Sequence, residues 1–296
     1  FGAIPSHQLV FVNGRCSPEL SSLQGGDDFV VGNLATFLET DLQDVVESHL
    51  ARYADVENHA FTALNTAFFH DGAFIRLPKG RAVNLPVHLI FVSSALHEPL
   101  VSHPRVLIVA EPDAQAAIIE SYIGQNGEIT FTNSVTEIAV GENARIDHYK
   151  LAWESPKAFH IHTIQVQQDR NSRFTSHSIS AGGALVRNDL NVIQAAEGTE
   201  STLNGLTLLA GRQHVDNHTT IDHTKPHGTS RELYKGVLDG SSQAIFNGTI
   251  IVRPNAQKTD AMQTNKNLLL SERGLVNSKP ELQIYANDVK CKHGAT

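Results

Sequence analysis

A turn of one kind returns along this chain, its earlier copies spaced by about thirty residues, and that recurrence limits the fold more than any other feature. A polar turn closing on a small residue before the next apolar run stands at positions 111–114, 141–144, 169–172 and 197–200. It returns at 240–244 and 253–256. Between the turns lie short runs rich in Val, Ile, Thr and Phe, among them Val87-His-Leu-Ile-Phe-Val92, Ile161-His-Thr-Ile-Gln-Val166 and Ile250-Ile-Val252. Almost no helical period separates them from residue 74 onward, which argues against βαβ units. A sandwich, a propeller or a β-helix remains. Blade signatures are absent, and a sandwich of this length is unusually large for one domain. Strand-only coils at this period favour a parallel β-helix, each coil stacking on the last over a continuous apolar ladder.

The beginning of the chain reads differently. A short alternating run, Leu9-Val-Phe-Val12, is followed by a Gly25-Gly-Asp-Asp28 turn. Leu34, Phe37, Leu38, Leu42, Val45, Val46 and Leu50 then recur at three- and four-residue spacings, as on an amphipathic helix. Phe61, Leu64, Ala67 and Phe68 extend that helical region to His70, and Asp71-Gly72 marks a turn. The expected division is an N-terminal α/β region over 1–72 and a β-helix core over 73–296. The chain begins without Met and stops at Gly294-Ala-Thr296, so terminal parts of the native protein are expected beyond it.

Composition narrows the class. A formal net charge of −8 without a Lys/Arg block makes nucleic acid and anionic membranes poor partners. No apolar run approaches the ~18 residues of a membrane span, and the first residues lack a signal-peptide pattern. Two cysteines, Cys16 and Cys291, at opposite ends give no disulfide framework and suit a reducing interior, cytosolic or organellar.

Sixteen histidines are the oddest count. His160 and His162 fall on one face of a strand, and His214, His218, His223 and His227 lie close in sequence. Imidazole ligates zinc and iron, but the spacing matches no standard ligand set, so outward polar positions on strands and loops are the favoured reading. Asp216, Asp222, Asp239 and Asp260 offer carboxylates for glycan cleavage by a β-helical lyase or hydrolase, without a specific spacing. No phosphate loop is present. Near the C-terminus Cys291 and His293 are two apart, which places them on one strand face at about 7 Å. A thiol beside an imidazole can have a lowered pKa and hold a soft metal or cluster; the alternative is a buried free Cys with a surface His nearby. A last coil also exposes strand edges that a partner chain is expected to pair, with Cys291 and His293 near the junction.

Asn65-Thr-Ala-Phe-Phe-His-Asp-Gly72, Tyr234-Lys-Gly-Val-Leu-Asp-Gly240, Phe246-Asn-Gly-Thr249, the 256–271 run and the 279–296 run together resemble the SufB/SufD family of iron–sulfur cluster assembly proteins. The resemblance covers roughly residues 60–296 and implies a right-handed parallel β-helix and a non-catalytic scaffold. SufB-like chains carry a cysteine in the segment matching Gln263-Thr-Asn265, where Asn265 stands here. Lys290-Cys-Lys-His-Gly-Ala-Thr296 matches the signature of SufD-like members. The resemblance further implies pairing with SufB through the β-helix end and binding of the SufC ATPase through a C-terminal helical domain that would follow Thr296. It implies a transient iron–sulfur cluster at the SufB interface, with His293 as metal ligand and Cys291 as its near neighbour. Binding of a reduced flavin by the complex and self-pairing of the isolated chain stay open.

Overall fold

The computed structural model describes residues 4–23, 29–95 and 98–296; the turn expected at 25–28 lies outside them. From residue 72 the chain winds as a parallel β-helix of about 8 turns. Each turn contributes one strand to each of two facing sheets. The first sheet runs through Val87–Ser93, Gln115–Gly124, Arg145–Trp153, Arg173–Ser180, Glu200–Leu209, Thr229–Leu238, Asp260–Leu269 and Lys290–Ala295. The second runs through Gly72–Leu77, Arg105–Ala110, Thr130–Val140, Phe159–Gln168, Leu185–Gln194, His214–His223, Gln243–Val252 and Leu275–Ile284. The N-terminal segment extends both sheets. His7–Val12 pairs in parallel with Val87–Ser93, and Val30–Asn33 pairs antiparallel to Gly72–Leu77.

The recurrent turn is the corner that leads from the second sheet to the first. Asp113, Asn143, Asn171, Gly198, His227 and Lys258 all adopt left-handed backbone there, with φ between 53° and 73°. Asn, Asp and Gly accept that conformation at least cost. The corners are stitched along the axis: the Asp113 N–H donates to the Glu142 carbonyl at 2.8 Å, and the Asn143 N–H to that of Arg170 at 2.9 Å. The 240–244 turn belongs elsewhere. Gly240, with Gly211 and Gly183, lies on the opposite corner. The corner at His227, in Lys225-Pro-His-Gly228, escaped the sequence pattern because neither an acidic residue nor Asn marks it.

The expected long helix is three short ones, Leu34–Phe37, Gln43–His49 and Ala60–Phe68. Asn33 caps the first by accepting from the Thr36 N–H at 3.2 Å. Thr40 ends it, because its hydroxyl donates to the Phe37 carbonyl and accepts from the Leu42 N–H. Ala51, at φ 56°, follows the second. Leu34 and Val46 still pack on Phe74, Leu107 and Val109, as their spacing requires. The third helix is turned differently: Thr62 and Asn65 are its buried residues, whereas Phe61 and Phe68 are exposed. Asn65 decides this orientation by donating to the Pro104 and Asn133 carbonyls at 2.9 and 2.8 Å.

Pairing without slippage makes each inward position a column along the axis. Phe11, Phe91 and Tyr122 stack in one such column, with centroids 5.0 and 4.8 Å apart.

Candidate functional site

Two inward columns of the first sheet end at the residues singled out near the C-terminus. One runs Phe174, Ser201, Ser230, Ala261, Cys291, and the other Ser176, Leu203, Glu232, Gln263, His293. Ser201, Ser230, Ala261, Glu232 and Gln263 are all buried, so strand alternation turns Cys291 and His293 toward the coil interior. Cys291 is half-buried and His293 exposed on this last coil. Burial pushes the Cys291 thiol above its ordinary range, against a lowering hydrogen bond from the Ala261 backbone. Of the two sequence readings, a half-buried free Cys beside an exposed His describes this arrangement. Around the same end Leu268, Leu269, Leu270, Leu275, Ile284 and Tyr285 are exposed, each by 41% or more. Asn267, Ser278 and Thr296 line a groove of about 330 Å³ beside them.

Beneath His293 the column turns polar. Gln263 is fully buried and its Nε2 donates to Glu232 Oε2 at 2.7 Å. Room for that amide comes from Gly248 on the opposite strand, where a Cβ would meet Gln263 Nε2 at 2.2 Å. Burial raises the Glu232 carboxyl to about 7, against the lowering bond from Gln263. In the next column Asn265 is buried and donates to the Tyr234 carbonyl at 3.2 Å. Asn265 accepts in turn from Asn267 at 2.6 Å.

The sign of the Glu232 effect follows from linkage. The folded state holds this proton more tightly than the unfolded chain, so the stabilisation is complete below about pH 4.5 and is lost as pH rises to about 7. At roughly 1.4 kcal/mol per pH unit, the ionised carboxylate costs about 3 kcal/mol at pH 8. Glu232→Gln is accordingly expected to be more stable than the parent at pH 8 and to lose that advantage at pH 4.5. Urea titrations at the two pH values measure the difference.

The four clustered histidines separate. His214 and His218 lie on the outer face of their strand, where His218 meets Asp216 at 2.8 Å. His223 is buried inside against Ser230 at 3.0 Å, and His227 sits on its corner, exposed. Among the described residues no three His, Cys, Asp or Glu groups converge as a metal site. The four aspartates separate likewise. Asp216 pairs with Arg187, Asp222 with Arg253 and Asp260 with Arg231, while Asp239 accepts from the Gly240 N–H in a turn.

His160 and His162 do share a strand face, with centroids 5.9 Å apart, but that face is the interior; the outward reading fails for them and for His223. They belong to a buried network that no motif announces. Glu120 accepts from Tyr122 at 2.7 Å, Thr136 at 2.9 Å and His148 at 3.0 Å. Glu154 meets His160 at 2.7 Å and accepts from Thr132 at 3.0 Å. Lys150 bonds to Asn188 and lies 5.6 Å from the Tyr122 ring centre. Burial draws Lys150 down to about 7. For Glu120, burial works upward, but bonds from His148, Tyr122 and Thr136 outweigh it and hold the carboxyl below its usual range. The sequence signal for this network was the inward parity of Glu120, His148 and Lys150, readable only once the register is known.

The chain matches known proteins along nearly its whole length. Residues 91–296 match the family model described as SUF system FeS cluster assembly, SufBD core domain. Residues 2–89 match the SufBD protein N-terminal region. The chain is 38% identical over 301 residues to an iron–sulfur cluster assembly SufBD family protein of Synechocystis, covering 98% of this chain and 66% of that protein. It is 32% identical over 295 residues to the iron–sulfur cluster assembly protein SufD of Escherichia coli, covering 99% and 67%. It is 36% identical over 242 residues to the chloroplastic protein ABCI7 of Arabidopsis thaliana, covering 79% and 51%. The chain thus spans about two thirds of the first two relatives and about half of the third.

Proposed function

The chain belongs to the SufBD family of iron–sulfur cluster assembly proteins, and from that premise we propose that it is a SufD-type scaffold that supplies one half of an assembly site rather than an enzyme. The observation that carries this reading is the arrival of Cys291 and His293 at the inward end of two columns, on a coil rimmed by exposed leucines. Exposed apolar groups in such number mark a protein interface. The partner in this reading is SufB, joined along Lys290–Ala295 and Leu275–Ile284, and SufC binds through a part of the protein outside this chain.

The chemistry divides between the two subunits. The cluster is cargo, assembled and passed on. SufB contributes the thiolate that accepts sulfur, a task closed to this chain at Asn265, since an amide is neither a thiolate nor a persulfide carrier. His293 contributes an imidazole lone pair to iron. Cys291 is held as a thiol by burial and serves as a neighbour in the column. The setting is a bacterial cytosol or a plastid interior, in keeping with the bacterial and chloroplastic relatives; among the described residues no helix is long and apolar enough to cross a membrane.

The test is replacement of His293 by Ala in the full-length protein, in cells that depend on it. Cluster loading of client proteins is expected to fall about tenfold or more, as loss of a ligand and its directed lone pair does elsewhere, while the complex still co-purifies. Cys291→Ser is expected to leave most loading in place. Wild-type loading with His293→Ala would remove the ligand role.

A further inference from the structure

We infer that a pocket at the N-terminal end of the β-helix binds a small organic phosphate, held by Arg15, His70 and His103. The pocket has a volume of about 200 Å³, and these three basic side chains line it together with Asn13 and Ser102. Phe68 and Val101 form an apolar side, and no acidic residue lines it. Arg15–Cys16 is the edge strand at one end of the first sheet, and Lys290–Ala295 is the edge strand at the other. The pocket and His293 therefore stand at opposite ends of the coil stack.

The pocket is built from fixed parts. Asn13-Gly14 is a two-residue hairpin turn with φ of 54° and 78°, the left-handed pair that Asn-Gly favours between twisted strands. The Asn13 side chain fastens the turn, donating to the Ser94 carbonyl at 3.0 Å and accepting from the Ser94 N–H at 2.8 Å. Ser102 closes on the turn, since a Cβ at Gly14 would come within 3.3 Å of its own Cβ. Arg15 is thus presented from an anchored backbone. His103 is held between rings, 5.9 Å from Phe68 and 6.4 Å from Phe131. The Asn133 amide nitrogen, fixed by the Phe61 carbonyl at 2.9 Å, also donates to His103 Nδ1 at 3.4 Å. The proton of the neutral ring then sits on Nε2, which makes that nitrogen a donor.

Charge selects the ligand. Arg15 and His70 make no hydrogen bond or ion pair among the described residues. Burial and the charge of His70 push the His103 imidazole below its ordinary range, so the basic groups here repel one another instead of being neutralised. Asp71, the carboxylate nearest in sequence, is already engaged. It accepts from the Cys16 and Gly72 N–H groups at 2.8 and 2.7 Å and from Asn33 Nδ2 at 3.0 Å. The helix Ala60–Phe68 ends beside the pocket, and its carbonyl end favours cations, but weakly and at short range. A guanidinium and two imidazoles outweigh it. Guanidinium meets phosphate in bidentate geometry. Pockets for drug-sized ligands run to about 300–1,000 Å³, so this one suits a fragment-sized anion. The exposed Phe68 and Val101 offer contact to the organic part of the ester.

Calorimetric titration of the full-length protein at neutral pH tests the site, with phenyl phosphate, inorganic phosphate and phenol as probes. Phenyl phosphate is expected to saturate one site, phosphate to bind more weakly, and phenol not to bind. Arg15→Gln is expected to weaken phenyl phosphate about tenfold or more, the scale of one hydrogen bond to a charged group, and His70→Asn to weaken it in the same direction. Arg173→Gln, at an exposed ion pair elsewhere on the sheet, is expected to leave the affinity unchanged. Arg15 and His70 are exposed, so neither change removes core packing, and circular dichroism verifies the fold. Phenyl phosphate that fails to saturate, or that binds both pocket variants as it binds the parent, overturns the site. Phenol bound as tightly as phenyl phosphate overturns the choice of an anion. Equal affinity for phosphate and phenyl phosphate overturns the part given to Phe68 and Val101.

Discussion

Replacing Glu137 by Ala is expected to lower the unfolding free energy by about 3–5 kcal/mol, read as a fall in the urea midpoint. Glu137 is fully buried on Thr130–Val140 and pairs with the equally buried Arg105 at 2.5 Å. It also accepts from three backbone N–H groups, Ala51 and Tyr53 at 2.8 Å and Ala54 at 3.0 Å. Those bonds fasten the segment after the second helix to the β-helix wall. The alanine variant strands a guanidinium inside the protein and unsatisfies three amides, so the loss exceeds that of an ordinary ion pair. Pairing Glu137→Leu with Arg105→Met removes the stranded charge and is expected to recover part of the loss. Full recovery is not expected, because a leucine cannot accept from Ala51, Tyr53 and Ala54. A change below 1 kcal/mol in Glu137→Ala would mean that the helices are held by their apolar contacts alone.

Glu120→Ala is expected to have a comparable effect, about 3–5 kcal/mol, at the opposite side of the wall. Its carboxylate gathers Tyr122, Thr136 and His148 inside the coil, and Lys150 neighbours it in the same column. Alanine leaves those donors without an acceptor and removes a counter-charge from a buried cationic group. Glu120→Gln, which retains one acceptor oxygen, is expected to lose roughly half as much. The pH dependence has a definite sign. Because Glu120 and Glu154 are held below the usual carboxylate range, their contribution is complete above about pH 4.5 and is lost as pH falls through their folded values. Acid unfolding of Glu120→Ala should therefore be less steep than that of the parent.

The β-helix was legible because its corners demand particular backbone conformations. Asp113, Asn143 and Asn171 stand at left-handed positions, and their spacing is the coil length. The corners at His227 and Gly240 show where that reading thins: one used an unmarked residue, and the other belonged to the second corner of the same coil. The broken helix was illegible from apolar spacing, since Leu34 and Val46 are buried just as a continuous helix would bury them. What stops it is Thr40 and its local hydrogen bonds.

The candidate site divides the same way. Cys291 and His293 were recognisable by their alternation, and both fall on the inward columns. The polar interior was not. In Phe159–Gln168, Ile161 and Thr163 are buried on the outer face while His160 and His162 are buried on the inner one. A period of two distinguishes the faces of a strand but not which of them is wet. Glu232 illustrates the difficulty most clearly. In Thr229–Leu238 the period of two sets Glu232 apart from Arg231 and Lys235, but only the register with Gln263 and His293 puts it in the column beneath the last coil.

Amide hydrogen exchange along Lys290–Ala295, with and without SufB, bears most directly on the assembly reading. Exchange there is expected to slow at least tenfold when SufB is added to the full-length protein, the scale on which strand pairing protects an amide, with the outer turns near Asp216 unchanged. A stable complex in which these amides exchange as fast as in the free protein would put the partner on another surface, and His293 away from any shared site.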